Sequence, residues 1–266
     1  MFTTDPLLGL KAEKAGVDGV VVDWESRGKK ARQKNHPLET NYDTPQDVHN
    51  LSEKLTIPVI VRINALGTRT ASEINCALDN GAKIIMLPMA RSVDDVKKFL
   101  KLIDGRAETI IQVETPTLAS DAESLKTLDW DYVYIGLNDL MVATGKSSIW
   151  QALFDGTAEN ISSKLRGRAY GFGGATIIGG GEPIINALIL HELVRLGGTI
   201  SLMRRTLKKE LLDRDFNLEM KALRGFIECS EARGPLAIQQ DHEHLLRILK
   251  DYLNASSRNK LETLVI

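Results

Sequence analysis

The sequence predicts an α/β fold, specifically a (β/α)8 TIM barrel with additional C-terminal helices. Short runs of β-branched and aromatic residues, too short for buried helices, alternate with amphipathic segments. The length of 266 residues is close to that of an eight-stranded barrel. Charged side chains stand just after several of the runs, where parallel sheets carry their functional sites.

Eight strands can be counted along the chain. We predict them at residues 2–4, 19–23 and 58–62, in a run ending near 87, and at 110–113, 132–135, 169–177 and 200–203. The first helix is predicted to start at Asp5 and Pro6, because aspartate caps a helix and proline suits its first turn. The segment between the fifth and sixth strands predicts one amphipathic helix, with an inward side formed by Leu118, Ala122, Leu125 and Leu128.

The chain is predicted to divide after its eighth strand. Residues 1–206 would form the (β/α)8 barrel core, and residues 207–266 a C-terminal helical extension. A barrel needs only one closing helix after its last strand, and this extension is longer. We therefore expect part of it to pack on a neighbouring subunit, which would make the protein a homo-oligomer.

Composition argues against several classes of partner. The 34 basic and 35 acidic residues nearly cancel, leaving a net charge of -1, so neither a nucleic acid nor a membrane is expected as a partner. Cys76 and Cys229 lie far apart in the sequence and lack the spacing of metal ligands. We therefore expect both to be buried thiols of a protein in a reducing compartment. The N-terminus shows no basic segment followed by an apolar stretch, which predicts a cytoplasmic protein.

Two carboxylates stand just past neighbouring predicted strands. Glu114 follows the fifth strand and Asp139 the sixth. Successive parallel strands end on the same edge of a sheet, so the two side chains should lie side by side. Adjacent carboxylates there indicate a divalent cation, Mg²⁺ or Mn²⁺. The alternative is that each residue caps the helix that follows it.

Five motifs carry a resemblance to a known family. They are VVVDWE (residues 20–25), PVIVRIN (58–64), NGAKIIMLPM (80–89), IQVETP (111–116) and YIGLNDL (134–140). In that order and spacing, the chain resembles the HpcH/HpaI aldolase and citrate lyase β-subunit family over roughly residues 1–206. The resemblance implies a metal-dependent enzyme that makes or breaks a carbon–carbon bond beside a 2-oxo acid, such as pyruvate, or an acyl-CoA ester.

The resemblance also assigns roles to individual residues. Glu114 and Asp139 match the two metal-ligand positions of the family. Arg62 matches its essential arginine, which would stabilise the enolate of the 2-oxo acid while an aldehyde partner adds or departs. The alternative for Arg62 is a structural ion pair with Asp23 or Glu25, two carboxylates that end the second strand and are expected on the substrate side of the site.

Three further positions are assigned to substrate binding on the same basis. Gln112 matches a substrate-side glutamine. Gly136 and Asn138 match a turn whose backbone N–H groups hold the substrate carboxylate.

The sequence also departs from the family. Ser26 stands where the pyruvate aldolases carry a histidine proposed as acid/base, and a serine cannot do that work unaided. His36, in the following loop, is a possible replacement, although lone loop histidines are more often solvated. The basic residues Arg27, Lys29 and Lys30 could serve an anionic substrate or form a solvated face. Glycines 179–181 are interpreted as a flexible lid.

Other functions remain open. A CoA-ester lyase of the citrate lyase β-subunit type is the main alternative, although no adenine-binding feature is evident. A catalytically retired oligomeric binding protein is another, because Ser26 is what loss of catalysis would leave. A Schiff-base aldolase is disfavoured, since no predicted strand ends on a lysine that faces the site.

Overall fold

The computed structural model describes residues 1–27 and 43–263. Within this part of the chain, six parallel strands form one sheet whose spatial order follows the sequence. They are β1 (Val20–Asp23), β2 (Val59–Arg62), β3 (Ile84–Leu87), β4 (Glu108–Val113), β5 (Tyr132–Ile135) and β6 (Tyr170–Phe172). The predicted α/β class with a parallel sheet is confirmed.

The strand register places the predicted site residues at one edge. Asp23, the last residue of β1, is paired with Arg62, the last residue of β2. Gln112 near the end of β4 is paired with Tyr134 near the end of β5. Because every strand runs in the same direction, all six carboxyl ends open onto the same side of the molecule.

The prediction of eight regular strands is not met by the described residues. The first and eighth segments are reduced to isolated parallel bridges, from Phe2 to Val21 and from residues 200 and 203 to the chain around β6. The seventh predicted strand, 169–177, stops at Phe172 because Gly173 has a φ of 90°, which is not an extended conformation.

The sheet is curved, because both of its ends contribute to the same inner cluster. Alternate residues of the strands point to this inner side. Its buried members are Val21, Ile60, Ile84, Met86, Ile110 and Tyr134. Phe2 from beyond β1 and Leu202 from beyond β6 pack against them. The opposite faces of the strands pack against the helices in a second, larger core.

Helices alternate with the strands, and several more follow the last strand. Those before β5 are α1 (Pro6–Lys14), α2 (Pro45–Ser52), α3 (Thr70–Asp79), α4 (Val93–Ile103) and α5 (Pro116–Ser120). Those after it are α6 (Leu137–Ala143), α7 (Gln151–Phe154), α8 (Thr157–Leu165), α9 (Asn186–Arg195), α10 (Leu207–Glu210), α11 (Phe216–Glu231) and α12 (Pro235–Thr263). The predicted cap holds at α1, where Leu7 N–H donates to Asp5 Oδ1 at 2.9 Å.

The segment between β4 and β5 is not the single helix that the sequence predicts. α5 ends at Ser120, and a 3₁₀ helix follows at Ala122–Thr127. Asp121 leaves the helical conformation between them, with φ -105° and ψ 19°. The tighter 3₁₀ helix still buries Leu125, so this apolar side chain reaches the core without a continuous α-helix.

The C-terminal helices pack on this chain's own helices. α11 contacts α1 and α9, and α12 contacts α7 and α9. Met220 and Leu223 of α11, with Leu245 and Leu249 of α12, are buried in these contacts. Packing on a neighbouring subunit stays a prediction. Over the residues that the structure describes, no helix combines the length and apolar character needed to cross a membrane.

Candidate active site

Arg62 and Asp23 form a buried, two-point ion pair at the ends of β1 and β2. Arg62 Nε donates to Asp23 Oδ1 at 2.8 Å, and Arg62 Nη2 donates to Asp23 Oδ2 at 2.7 Å. The remaining nitrogen, Nη1, lies 3.5 Å from Glu25 Oε2. The structural ion pair that the sequence left as an alternative for Arg62 is therefore present, with both carboxylates.

The charge of Arg62 is fixed by its surroundings. Burial favours the neutral form of the guanidinium, but the hydrogen bonds that Arg62 donates to Asp23 and the charges of Asp23, Glu25 and Glu114 outweigh it, so the pKa of Arg62 is raised above its usual value. Arg62 therefore presents a permanent cation beside Glu114.

Glu114 lies where negative charge is concentrated. It follows β4 and is buried; Met89 N–H donates to its Oε1 at 2.8 Å. The pKa of its carboxyl is raised to about 8 by burial first and by the charges of Asp139 and Glu25, against the opposing effects of Arg62 and the Met89 N–H. Glu114 and Asp139 are thus brought close enough to repel each other, as their places after adjacent strands predict.

The end of β5 approaches Glu114 closely. A Cβ atom at Gly136 would stand 2.7 Å from Glu114 Cβ and even closer to Glu114 Oε2. Asp139 is buried in the first turn of α6. Asn138 beside it is exposed, so its side chain is not enclosed by the site.

Gln112 contacts Glu114 and has a side-chain oxygen left to accept a hydrogen bond. Its Nε2 donates to Glu114 Oε2 at 3.2 Å, and its Oε1 is buried with no hydrogen-bond partner among the described residues. A buried amide oxygen without a partner is costly unless a ligand supplies one.

Two further residues of the site were missed by sequence reasoning. Arg205 Nη2 donates to Asp23 Oδ2 at 3.2 Å, so Asp23 accepts hydrogen bonds from two arginines, Arg62 and Arg205. Arg205 comes two residues after the predicted eighth strand, and the rule that singled out Glu114 could have found it. Tyr134 points inward from β5 and donates its hydroxyl to Gly173 O; its pKa is raised mainly by burial.

Comparison with known proteins assigns the chain to a family. The model of the HpcH/HpaI aldolase/citrate lyase family matches residues 3–151, more than half of the chain. The chain belongs to the HpcH/HpaI aldolase/citrate lyase family. Residues 3–151 include all eight residues that the sequence assigned to the site, from Asp23 to Asp139.

A solved structure shares the fold of this family member. It is described as "Crystal Structure of Citrate Synthase SbnG", with 16% sequence identity and a TM-score of 0.59. The similarity covers 85% of this chain and 93% of that one. A comparison with curated proteins gave no match.

The position that departs from the family pattern lies at the rim. Ser26 is exposed, and the N–H groups of Ser26 and Arg27 donate to Asn64 Oδ1 at 3.1 and 3.0 Å. Arg27 also lies 3.2 Å from Glu73, so it is paired within the protein. His36, Lys29 and Lys30 lie outside the described residues.

The family implies a divalent cation, which oxygen atoms of this site would have to hold. Within residues 1–27 and 43–263, no group of three or more His, Cys, Asp and Glu side chains is arranged to hold a metal ion. Mg²⁺, however, is commonly held by one or two carboxylates with water and substrate oxygens. Glu114 and Asp139 meet this requirement, and the unpartnered Gln112 Oε1 adds a neutral oxygen. Glu114, Asp139 and Gln112 are therefore suitable ligands for a divalent cation.

Proposed function

We propose that this protein is a divalent-metal-dependent carbon–carbon lyase of the aldolase type. It would act through the enolate of pyruvate or a related 2-oxo acid, with an aldehyde as the second substrate. The carrying observation is the buried cluster at the carboxyl ends of the strands, in which Arg62, bound to Asp23 and beside Glu25, adjoins Glu114.

Glu114 and Asp139 would hold Mg²⁺ or Mn²⁺. When bound, the cation supplies Lewis-acid polarisation of the keto oxygen of the substrate. The protein's own contribution is a buried pair of carboxylates and the Gln112 amide, which already donates to Glu114 and has its Oε1 left to accept from a ligand.

Arg62 would stabilise the developing oxyanion. Asp23 engages two of its nitrogens, which fixes the plane of the guanidinium and leaves the Nη1 side directed towards Glu25. A donor held in place before the reaction loses no reorganisation energy in the transition state. Gly136 and its following N–H groups would hold the substrate carboxylate, as the family motif implies.

The curved sheet supports closure into a (β/α)8 barrel. Phe2 and Leu202 share the inner cluster, and Arg205 lies over the Phe2 ring with 5.2 Å between its guanidinium carbon and the ring centroid. Contacts from the chain after residue 200 thus reach the first segment and Asp23. This closure would surround the cluster on all sides.

A CoA-ester lyase is the second candidate, because the family that matches includes citrate lyase. The two functions differ in the small molecule that is deprotonated. A 2-oxo acid aldolase deprotonates pyruvate or a related 2-oxo acid even when no aldehyde is present, whereas a CoA-ester lyase deprotonates the thioester.

Proton exchange at the pyruvate methyl group tests the proposal. In D₂O with Mg²⁺ or Mn²⁺, NMR should show metal-dependent exchange that EDTA stops and that Glu114→Gln reduces by about 100-fold or more. Glu108→Gln, at the exposed start of the same strand, is the matched control and should exchange as the wild type does. Exchange that is undiminished in Glu114→Gln would refute the role of this carboxylate. Exchange only with an acyl-CoA ester would favour the lyase.

A further inference from the structure

Arg204 occupies an unusual position beside the predicted site. Its Nε donates to Gly174 O at 2.7 Å, and its guanidinium carbon lies 5.0 Å from the centroid of the buried Trp150 ring. Tyr134 donates to the carbonyl of the preceding residue, Gly173. Arg204 is therefore anchored next to the tyrosine that points into the site.

Among the residues that the structure describes, the guanidinium of Arg204 has no counter-ion in contact. In the described part of the chain, its buried Nη2 has no hydrogen-bond partner, and Glu210 is the carboxylate that acts on the side chain by charge alone. Burial lowers its pKa, while Glu210 and Tyr134 oppose the shift. A partly buried cation without a counter-ion is costly, and a bound anion would reduce this cost.

The chain around Arg204 is shaped to admit it. A Cβ atom at Gly174 would stand 2.7 Å from Arg204 Cγ, and one at Gly181 would stand 2.9 Å from Arg204 Nη1. Gly179, by contrast, has no atom within 4 Å of its Cβ position. The absence of side chains at positions 174 and 181 thus leaves the space that Arg204 occupies.

We propose that Arg204 binds a carboxylate at the far end of the substrate, away from the 2-oxo acid group. As a statement about the substrate, this rests on the proposed function. Nε is occupied by Gly174 O, so the end of the guanidinium that carries Nη1 and Nη2 remains, and this planar fork matches the two oxygens of a carboxylate. Trp150 fixes the plane of the fork.

Glu210 is the opposing charge at this subsite. It accepts a hydrogen bond from the Thr176 hydroxyl, and its charge acts on Arg204 without an ion pair. It would repel a ligand carboxylate. Removing this charge should therefore strengthen binding, whereas removing the Arg204 charge should weaken it.

Equilibrium binding of matched ligands tests the subsite. Calorimetry with Mg²⁺ present would compare 2-oxoglutarate with 2-oxopentanoate, and 2-oxoadipate with 2-oxohexanoate; each pair differs only in the far carboxylate. The wild type should prefer a dicarboxylate about 10- to 100-fold, the range given by a charged hydrogen-bonded pair. Arg204→Gln should abolish the preference, and Glu210→Gln should increase it.

Arg168→Gln is the matched control. Arg168 also stacks on a tryptophan, 4.0 Å from the Trp130 centroid, and donates to backbone carbonyls, but it precedes β6 at the opposite end of the strands. It should keep the wild-type preference. A folded Arg204→Gln that keeps the preference, or a wild type with none, would overturn the proposal. A stronger preference for the phosphonate analogue 2-oxo-4-phosphonobutanoate would overturn the choice of a carboxylate.

The test separates this inference from the proposed function. The preference is a ratio of two binding constants and involves no turnover. A preference that depends on Arg204 without pyruvate exchange supports the subsite and counts against the enolate chemistry. Pyruvate proton exchange without a preference for dicarboxylates would support the enolate chemistry and count against the Arg204 subsite.

Discussion

Arg62 combines a structural and a proposed catalytic role in one side chain. Asp23 is completely buried and receives hydrogen bonds from both Arg62 and Arg205. Removing the Arg62 charge would leave Asp23 with one cation fewer, which costs stability whether or not Arg62 touches a substrate. A substitution that keeps the charge is therefore the more informative one.

Arg62→Lys is expected to fold and to lose most of the pyruvate exchange. A lysine ammonium can neutralise Asp23, but it cannot hold both Asp23 oxygens and direct a second nitrogen into the site. We expect a loss of about 100-fold in the exchange rate, typical of a removed oxyanion donor. NMR exchange and circular dichroism would measure this, with the exposed Arg166→Lys as control. Full activity of Arg62→Lys would show that charge alone suffices.

At the scale of elements, the bridge between β6 and the chain near residue 200 depends on a glycine. A Cβ atom at Gly171 would stand 2.7 Å from the backbone carbon of Ile200 and closer still to its oxygen. Both atoms belong to the backbone, so neither can rotate away. The bridge and the side chain at position 171 exclude each other.

Gly171→Ala is therefore expected to destabilise the protein by about 3 kcal/mol, the upper part of the range for overpacked sites. Gly179→Ala, in the same glycine-rich segment but with open space at its Cβ position, should stay within about 0.5 kcal/mol of the wild type. Urea denaturation of the two variants would measure the difference. Equal stabilities would mean that the bridge from Gly171 to Ile200 does not persist in solution.

What the sequence could predict follows from how local each feature is. Runs such as residues 110–113 and 132–135 are strands because β-branched and aromatic residues fit a buried parallel sheet, and this can be recognised locally. The placement of Glu114 beside Asp139 follows from strand order. The break at Asp121 could not be predicted. A continuous α-helix would bury Leu125, and so does the short α-helix followed by a 3₁₀ helix that is observed.

Contacts between segments that are distant along the chain could not be predicted from the sequence. Nothing near Arg204 indicates that its side chain stacks on Trp150, and nothing near Asp23 indicates that Arg205 reaches it. The two possible roles of Arg62 also could not be separated, because residues at neighbouring strand ends can bind a substrate or each other. These features depend on how the chain returns after β6.

For the whole molecule, α9 connects the sheet layer to the C-terminal helices through a polar network. Glu192 of α9 is buried; Arg195 Nε donates to it at 2.8 Å, and His242 Nδ1 of α12 lies 3.0 Å from it. His191, the preceding residue, stacks on Phe226 of α11, with 4.7 Å between ring centroids. Polar and aromatic side chains of α9 thus contact both α11 and α12.

His191 predicts a loss of stability in mild acid. Its pKa is lowered mainly by burial and also by the charge of Arg233, while Asp241, 3.2 Å away, opposes the shift. As pH falls through about 6.5, the unfolded chain binds a proton that the folded protein resists, so stability falls and levels off below the lowered folded pKa. Between pH 7.5 and 5, the melting temperature of His191→Leu should therefore fall less than that of the wild type. The exposed His49→Leu should follow the wild type; parallel curves for wild type and His191→Leu would contradict the role of His191.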